Sequence, residues 1–172
     1  PIEAVKARMQ ATFARWTRET TLAQMRADFD AALGGTEAVP CREVEVAGMP
    51  GAWFGPEEGP GAILYVHGGG YQVGSIRSHR GLMHRLAGAA GLPLLAFDYR
   101  LAPEHRFPAA LDDCMAAWRW LLGQGRPAGR LAIAGDSAGA SLALAAMLRA
   151  KAEATPLPGA AALFSPWLDL EA

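Results

Sequence analysis

The sequence has few cysteines, little net charge and no long apolar run, and each of these shortages excludes a class of protein. Its 172 residues contain two cysteines, too few for a disulfide framework, so a reducing cytoplasm is the default expectation. Sixteen basic residues stand against 17 acidic ones, for a net charge of −1, which argues against binding to nucleic acid or an anionic membrane. No stretch approaches the ~20 apolar residues that a membrane-spanning helix requires. The hydrophobic fraction of 51% is enough to build a core.

One short motif, Gly135-Asp136-Ser137-Ala138-Gly139, has the form Gly-x-Ser-x-Gly. It stands between a short apolar run at 131–134 and an Ala/Leu-rich run at 140–150, which predict a strand and a helix. A serine on a sharp turn between a strand and a helix is typical of a nucleophile elbow, where glycines let the two elements pass closely. The motif therefore predicts Ser137 as a nucleophile.

A second glycine-rich motif, His67-Gly68-Gly69-Gly70, follows the apolar run 63–66. A His-Gly-Gly-Gly loop is typical of the oxyanion hole of lipases and esterases, where each backbone N–H stabilises the developing oxyanion by ~3 kcal/mol. The remaining donor is expected to be the N–H of Ala138, next to the nucleophile. The alternatives are that the glycine run is only a tight turn and that 135–139 is only a helix-packing loop.

Four motifs occur in order along the chain: HGGGY at 67–71, DYRLAPEHRFPAALDD at 98–113, GDSAGAS at 135–141 and SPWLDL at 165–170. Together they resemble the motifs of the hormone-sensitive-lipase-type (bacterial family IV) serine esterases of the α/β-hydrolase superfamily. The resemblance runs from about Val44 to the last residue. It implies an α/β-hydrolase fold, hydrolysis of carboxylic esters, often with short acyl chains, and a Ser-Asp-His triad without a metal or organic cofactor. It also implies site residues, namely Ser137 as nucleophile and oxyanion donors at Gly68, Gly69 or Gly70 with Ala138.

The triad is incomplete within this sequence. Every histidine precedes Ser137, whereas hydrolases of this kind order the triad as serine, acid and histidine along the chain. A serine hydroxyl is a poor nucleophile without an adjacent base. We therefore expect an N-terminal portion of a longer enzyme, and the resemblance places the acid, the histidine and two further strands beyond Ala172.

Other polar residues are candidates for supporting roles. His67 opens the oxyanion loop, and we favour bracing of that loop by hydrogen bonds over a role as base. Asp136 is expected in an exposed position beside the elbow, close to the site but without triad geometry. Tyr71 either lines the substrate pocket or packs internally. Asp169 follows Ser137 as a triad acid would, but the resemblance makes it a recurring structural residue.

The remaining charged groups are expected to have structural roles. His79 and His84 lie on a predicted helix as surface or satisfied polar groups, and His105 lies in a loop rich in proline and charge. The stretch 98–113 is interpreted as an ion-paired loop that supports the site.

Two amphipathic helices are predicted at the N-terminus, because apolar residues recur at spacings of three and four over 2–16 and 22–33. A capping box at Thr21-x-x-Gln24 would begin the second helix and Gly34-Gly35 would end it. They either pack on the body or, as the resemblance suggests, form a cap over the active site. We favour a division into cap helices at 1–36 and a partial catalytic domain at 37–172.

The rest of the chain has an α/β pattern. A hairpin of strands 43–46 and 52–54 with a turn at 48–51 precedes strands at 62–66, 93–98, 131–135 and 159–164, which alternate with helices at 78–90, 108–122 and 138–152. Cys114 is expected to be a small buried side chain on the second of these helices. This order predicts a mostly parallel sheet with an N-terminal antiparallel hairpin and helices on both faces, incomplete at the C-terminus. Both glycine motifs fall at the carboxyl ends of strands, where such sheets bind ligands.

These observations favour a serine esterase that forms an acyl-enzyme on Ser137. The alternatives are an amidase or formamidase with the same machinery and a non-catalytic relative that binds a small ligand because its base is replaced. The expected partner is a small ester substrate, and a homo-oligomer is left open.

Overall fold

The computed structural model describes residues 2–34 and 38–169. Within these residues the chain forms five α-helices, namely α1 (Ile2–Phe13), α2 (Leu22–Leu33), α3 (Ile76–Ala90), α4 (Ala109–Leu122) and α5 (Ser137–Ala152). It also forms six strands, namely β1 (Arg42–Val46), β2 (Met49–Phe54), β3 (Ala62–Val66), β4 (Leu94–Phe97), β5 (Leu131–Asp136) and β6 (Ala160–Phe164). A 3₁₀ turn at Ala128–Arg130, not predicted from the sequence, leads into β5.

All six strands belong to one sheet with the order β1-β2-β4-β3-β5-β6. β1 pairs with β2, and β2 with β4, in antiparallel fashion, whereas β3 pairs in parallel with β4 and β5, and β5 with β6. The predicted sheet, mostly parallel with an antiparallel hairpin, is therefore confirmed.

The predicted extent of the hairpin turn is wrong. The turn contains only Ala47 and Gly48, with φ of 51° and 84°, and two positive φ values are typical of the type I′ turn that joins twisted strands. Pro50 and Gly51 lie inside β2. A Cβ at Gly51 would lie 3.1 Å from the carbonyl oxygen of Ala96 in β4, so this glycine serves the close approach of two strands and not a turn.

Helices cover both faces of the sheet. Successive residues of a strand point to opposite faces, so each strand contributes to two cores. Along β3, Leu64 and Val66 belong to the core under α4 and α5, whereas Tyr65 belongs to the core under α3. Cys114 lies on α4 in the first core and is fully buried, as predicted.

The N-terminal helices form as expected, with one correction. The Thr21 hydroxyl accepts a hydrogen bond from the Gln24 N–H at 3.2 Å, but the Gln24 side chain donates to Asp28 at 3.0 Å. Only the Thr21 half of the capping box therefore forms. α2 ends at Leu33 with Gly34 as its C-cap, and Gly35 lies outside the described residues. In the part of the chain that the structure describes, no helix is both long and apolar enough to cross a bilayer.

Candidate active site

Ser137 lies directly between a parallel strand and the helix that follows it. β5 ends at Asp136 and α5 begins at Ser137, so the serine is the junction of a strand and a helix. Its φ of 51° lies in the left-handed region, which is strained for a residue with a Cβ and recurs at functional sites. The local geometry is that of a nucleophile elbow.

The elbow packs backbone to backbone against the start of the oxyanion loop, here defined as residues 67–74. A Cβ at Gly139 would lie 2.6 Å from the His67 carbonyl carbon, and a Cβ at Gly135 would lie 2.7 Å from the Val66 carbonyl oxygen. Cβ atoms essentially never come within 3.0 Å of such atoms. The two glycines of the serine motif therefore allow β5 and α5 to contact the end of β3 directly.

The oxyanion loop turns back on itself through glycine conformations. Gly69 and Gly70 have φ of 127° and 59°, and the carbonyl oxygen of Gly69 accepts from the N–H groups of Gln72 and Val73 at 3.1 and 3.0 Å. The Gly68 N–H donates to Oδ1 of Asp136 at 3.0 Å. Because this N–H is already engaged, Gly69 and Gly70 are the candidates for oxyanion donors in the loop, together with Ala138.

Asp136 is not the exposed neighbour of the serine that the sequence suggests. Its side chain is only 26% exposed, because residues alternate along β5 and this one points under α3. Oδ1 accepts from the Tyr65 hydroxyl at 2.7 Å and from Gly68, while Oδ2 lies 3.4 Å from Nε2 of His79. Burial by itself would raise the pKa of Asp136. The hydrogen bond and charge of His79, together with the Tyr65 and Gly68 donors, outweigh burial, so the pKa lies below its ordinary value. The carboxylate therefore stays ionised.

His67 is buried and engaged on all sides. Its ring stacks on Tyr99 at 4.3 Å, Nδ1 lies 2.8 Å from the Gly68 carbonyl oxygen, and Nε2 lies 4.0 Å from Asp98. The Tyr99 hydroxyl also donates to the His67 carbonyl at 2.8 Å. Burial, with the neighbouring charge of His79, lowers the pKa of His67 to about 3. The ring is neutral and faces groups other than Ser137, which fits the proposed bracing role and not that of a base.

Among the described residues, none of the other three histidines hydrogen-bonds to the Ser137 hydroxyl. His79 is buried, with Nδ1 2.8 Å from the Ser78 hydroxyl and Nε2 toward Asp136, so it is a satisfied polar group. His84 and His105 are exposed.

Comparison with known proteins places this geometry in a family. Residues 63–172 match a family model described as having the alpha/beta hydrolase fold. The chain belongs to this family. This match confirms the predicted fold class. The resemblance to hormone-sensitive-lipase-type esterases is also confirmed, because solved structures of that family are similar to this chain.

Named relatives of this α/β hydrolase are esterases. It is 48% identical over 140 residues to an acetyl-hydrolase of Streptomyces hygroscopicus, a match over 81% of this chain and 47% of the relative. It is 54% identical over 98 residues to an ethyl acetate hydrolase of Pseudomonas putida, over 54% of this chain and 31% of the relative. A crystal structure of an esterase from the bacterial hormone-sensitive lipase family superposes with a TM-score of 0.90 at 38% identity, over 98% of this chain and 58% of that one. The matched region thus spans less than two thirds of the length of each of these proteins.

Two residues beside the elbow of this α/β hydrolase were missed by the sequence reasoning. The Trp167 N–H donates to the Ser137 carbonyl oxygen at 3.3 Å, and the Ser141 hydroxyl donates to the Trp167 carbonyl oxygen. The Trp167 ring stacks on the half-buried ring of Tyr71 at 6.4 Å. Together Tyr71 and Trp167 form an aromatic surface next to Ser137, and the SPWLDL motif is the signal that could have indicated it. The role of Asp169, two positions further on, stays a prediction.

The 98–113 stretch contains an ion pair between Arg100 and Asp113 of α4, and its support of the site stays a prediction. Asp113 accepts from the backbone N–H of Arg100 at 2.8 Å and from its guanidinium at 2.7 Å. Asp98 accepts from the Ile76 N–H at 2.7 Å, at the start of α3. Among the described residues, no group of three or more His, Cys, Asp or Glu side chains is placed to hold a metal ion.

Proposed function

We propose that the whole protein hydrolyses carboxylic esters through an acyl-enzyme on Ser137. The observation that carries this proposal is the backbone contact between the elbow and the oxyanion loop. It brings a strained serine and the N–H groups of Gly69, Gly70 and Ala138 to the same edge of the sheet. A hydroxyl nucleophile and fixed backbone donors at one place are what acyl transfer requires.

The proposed reaction begins with transfer of the Ser137 proton to a histidine base. Because neither buried histidine of this chain faces the serine, we propose that the base lies in the part of the protein beyond Ala172. The Ser137 oxygen attacks the ester carbonyl carbon, and the loop and Ala138 N–H groups stabilise the oxyanion. The base then protonates the departing alcohol. Water, deprotonated by the same base, attacks the acyl-enzyme, releases the acid and restores the serine.

The proposed substrate is a small ester with a short acyl chain. Two relatives, an acetyl-hydrolase and an ethyl acetate hydrolase, support this choice by their names, as does the aromatic surface of Tyr71 and Trp167 beside the nucleophile. We further propose that residues 1–36 act as a cap on the catalytic domain. The two unpaired cysteines favour a cytoplasmic location.

The proposal is tested on the full-length protein with p-nitrophenyl esters of increasing acyl length and with acetanilide. We expect the highest kcat/KM on acetate or butyrate, low turnover of the amide, and no turnover by the Ser137→Ala variant above the uncatalysed rate. Equal turnover by the variant would refute the assignment. Tight binding of esters without turnover would instead favour a ligand-binding relative, and faster amide cleavage would favour an amidase.

A further inference from the structure

We propose that Asp136 is a positioning residue, whose carboxylate fixes the oxyanion loop relative to Ser137 and is itself held by Tyr65 and His79. This inference rests on the proposed ester hydrolysis, because the loop matters for rate only if an oxyanion forms. It gives Asp136 a function that neither its place in the serine motif nor the triad explains.

The carboxylate links the two halves of the site through adjacent residues. Asp136 directly precedes Ser137, and the N–H that it accepts belongs to Gly68, which directly precedes Gly69. A Cβ at Gly68 would lie 2.8 Å from the Asp136 carbonyl oxygen, so loop and strand are in direct contact there. Hydrogen bonds from backbone N–H groups to a carboxylate are shorter and stronger than neutral ones. A change in the carboxylate therefore moves the loop relative to the nucleophile.

The carboxylate cannot rotate away, because each oxygen has a buried partner. The Tyr65 hydroxyl, on a fully buried side chain, donates to Oδ1, and the buried His79 contacts Oδ2. His79 is held in turn by the Ser78 hydroxyl at 2.8 Å, and Ser75, which caps α3, donates to Asp30 of α2 at 2.7 Å. Both oxygens of Asp136 thus point away from Ser137, so its effect on the reaction is indirect.

The arrangement also explains why the Gly68 N–H donates to Asp136 and is not available to a substrate. If the Gly68 N–H were left without an acceptor under α3, a buried donor would be unsatisfied, which is destabilising. Engaging it with Asp136 ties the beginning of the loop down. Gly69 and Gly70, with positive φ, then follow this anchored residue as the proposed oxyanion donors.

The test compares Asp136→Ala and Asp136→Asn in the full-length protein by two independent measurements. Amide hydrogen exchange of the segment 67–74 reports the loop without requiring activity. The burst of p-nitrophenol from p-nitrophenyl acetate gives the number of active sites from its amplitude and the acylation rate constant from its rate.

We expect Asp136→Ala to increase exchange in 67–74 and to lower the acylation rate constant about 10- to 100-fold, less than outright loss of a donor. Deacylation passes through an oxyanion at the same donors and should slow in proportion, so the burst amplitude and KM should stay near wild type. Asn retains a carbonyl oxygen that can accept from Gly68 and Tyr65, so Asp136→Asn should recover most of the rate. A purely structural role would lower the burst amplitude instead, with a normal rate constant for the sites that remain.

A matched pair on α3 controls for loss of a histidine as such. His79→Ala should increase exchange in 67–74 and slow acylation, whereas His84→Ala, at an exposed position on the same helix, should change neither. The inference would be overturned if Asp136→Ala left amide exchange in 67–74 unchanged. It would also be overturned if exchange increased while the acylation rate constant stayed the same. If the wild type shows no Ser137-dependent release of p-nitrophenol, the proposed function fails. Increased exchange in Asp136→Ala would then still support the anchoring of the loop by Asp136, and unchanged exchange would refute it.

Discussion

The substitution Gly139→Ala tests the backbone contact on which the site depends. The new Cβ would lie 2.6 Å from the His67 carbonyl carbon and closer still to the carbonyl oxygens of Val66 and His67. All three are backbone atoms, so no side chain can rotate away, and α5 and the oxyanion loop must separate. Overpacking of this kind costs about 1–3 kcal/mol of unfolding free energy. A misplacement on the order of 1 Å between reacting groups can cost about 100-fold in rate.

The control for this prediction is the same substitution at Gly88 in α3, where a Cβ would meet nothing within 4 Å. Alanine in an exposed helical position is more favourable than glycine by up to about 1 kcal/mol, so Gly88→Ala should be neutral or stabilising and fully active. Urea unfolding of the full-length protein gives the free energies, and hydrolysis of p-nitrophenyl acetate gives kcat. If Gly139→Ala is as stable and as active as Gly88→Ala, the elbow and the loop are not packed as described.

Three further predictions follow from single contacts. Gly69→Ala places a Cβ 2.6 Å from the Val73 carbonyl carbon at a φ of 127°, so kcat should fall about 100-fold, and a normal kcat would remove Gly69 from the oxyanion hole. Burial raises the pKa of Cys114 to about 12, so a thiol reagent at pH 8 should modify Cys41 and reach Cys114 only after unfolding; rapid native labelling of Cys114 would contradict its burial. Tyr99→Phe removes the hydroxyl that donates to the His67 carbonyl and should cost about 1 kcal/mol of stability, measured by urea unfolding, and no loss would mean that the bond contributes nothing.

Elements with strong apolar runs were predictable because their burial is encoded locally. Leu94–Phe97 is buried throughout as β4 and was predicted within one residue of its ends. The elbow was also predictable, since two glycines around a serine carry the close-approach requirement in the sequence itself. Pro50 and Gly51 led to the wrong turn prediction because that prediction, too, used only local sequence. Both residues are typical of turns, and only the neighbouring β4 explains why they lie in a strand.

The surroundings of Asp136 could not be predicted, because they depend on contacts between residues far apart in the chain. Which face of β5 this side chain occupies depends on the register with β3, where Tyr65 lies opposite Ala134. His79 arrives from α3, whose position over that face is a property of the whole sheet. The sequence motif therefore indicated proximity to Ser137 and said nothing of the contacts to Gly68, Tyr65 and His79.

The most direct test of the central claim is labelling of the full-length protein with a fluorophosphonate probe, which reacts with activated serine nucleophiles. We predict a single modified peptide that contains the elbow, with the probe on Ser137, and no labelling of a folded Ser137→Ala variant. Labelling that survives in Ser137→Ala, or a probe located on another residue of the wild type, would contradict the assignment of Ser137 as the nucleophile.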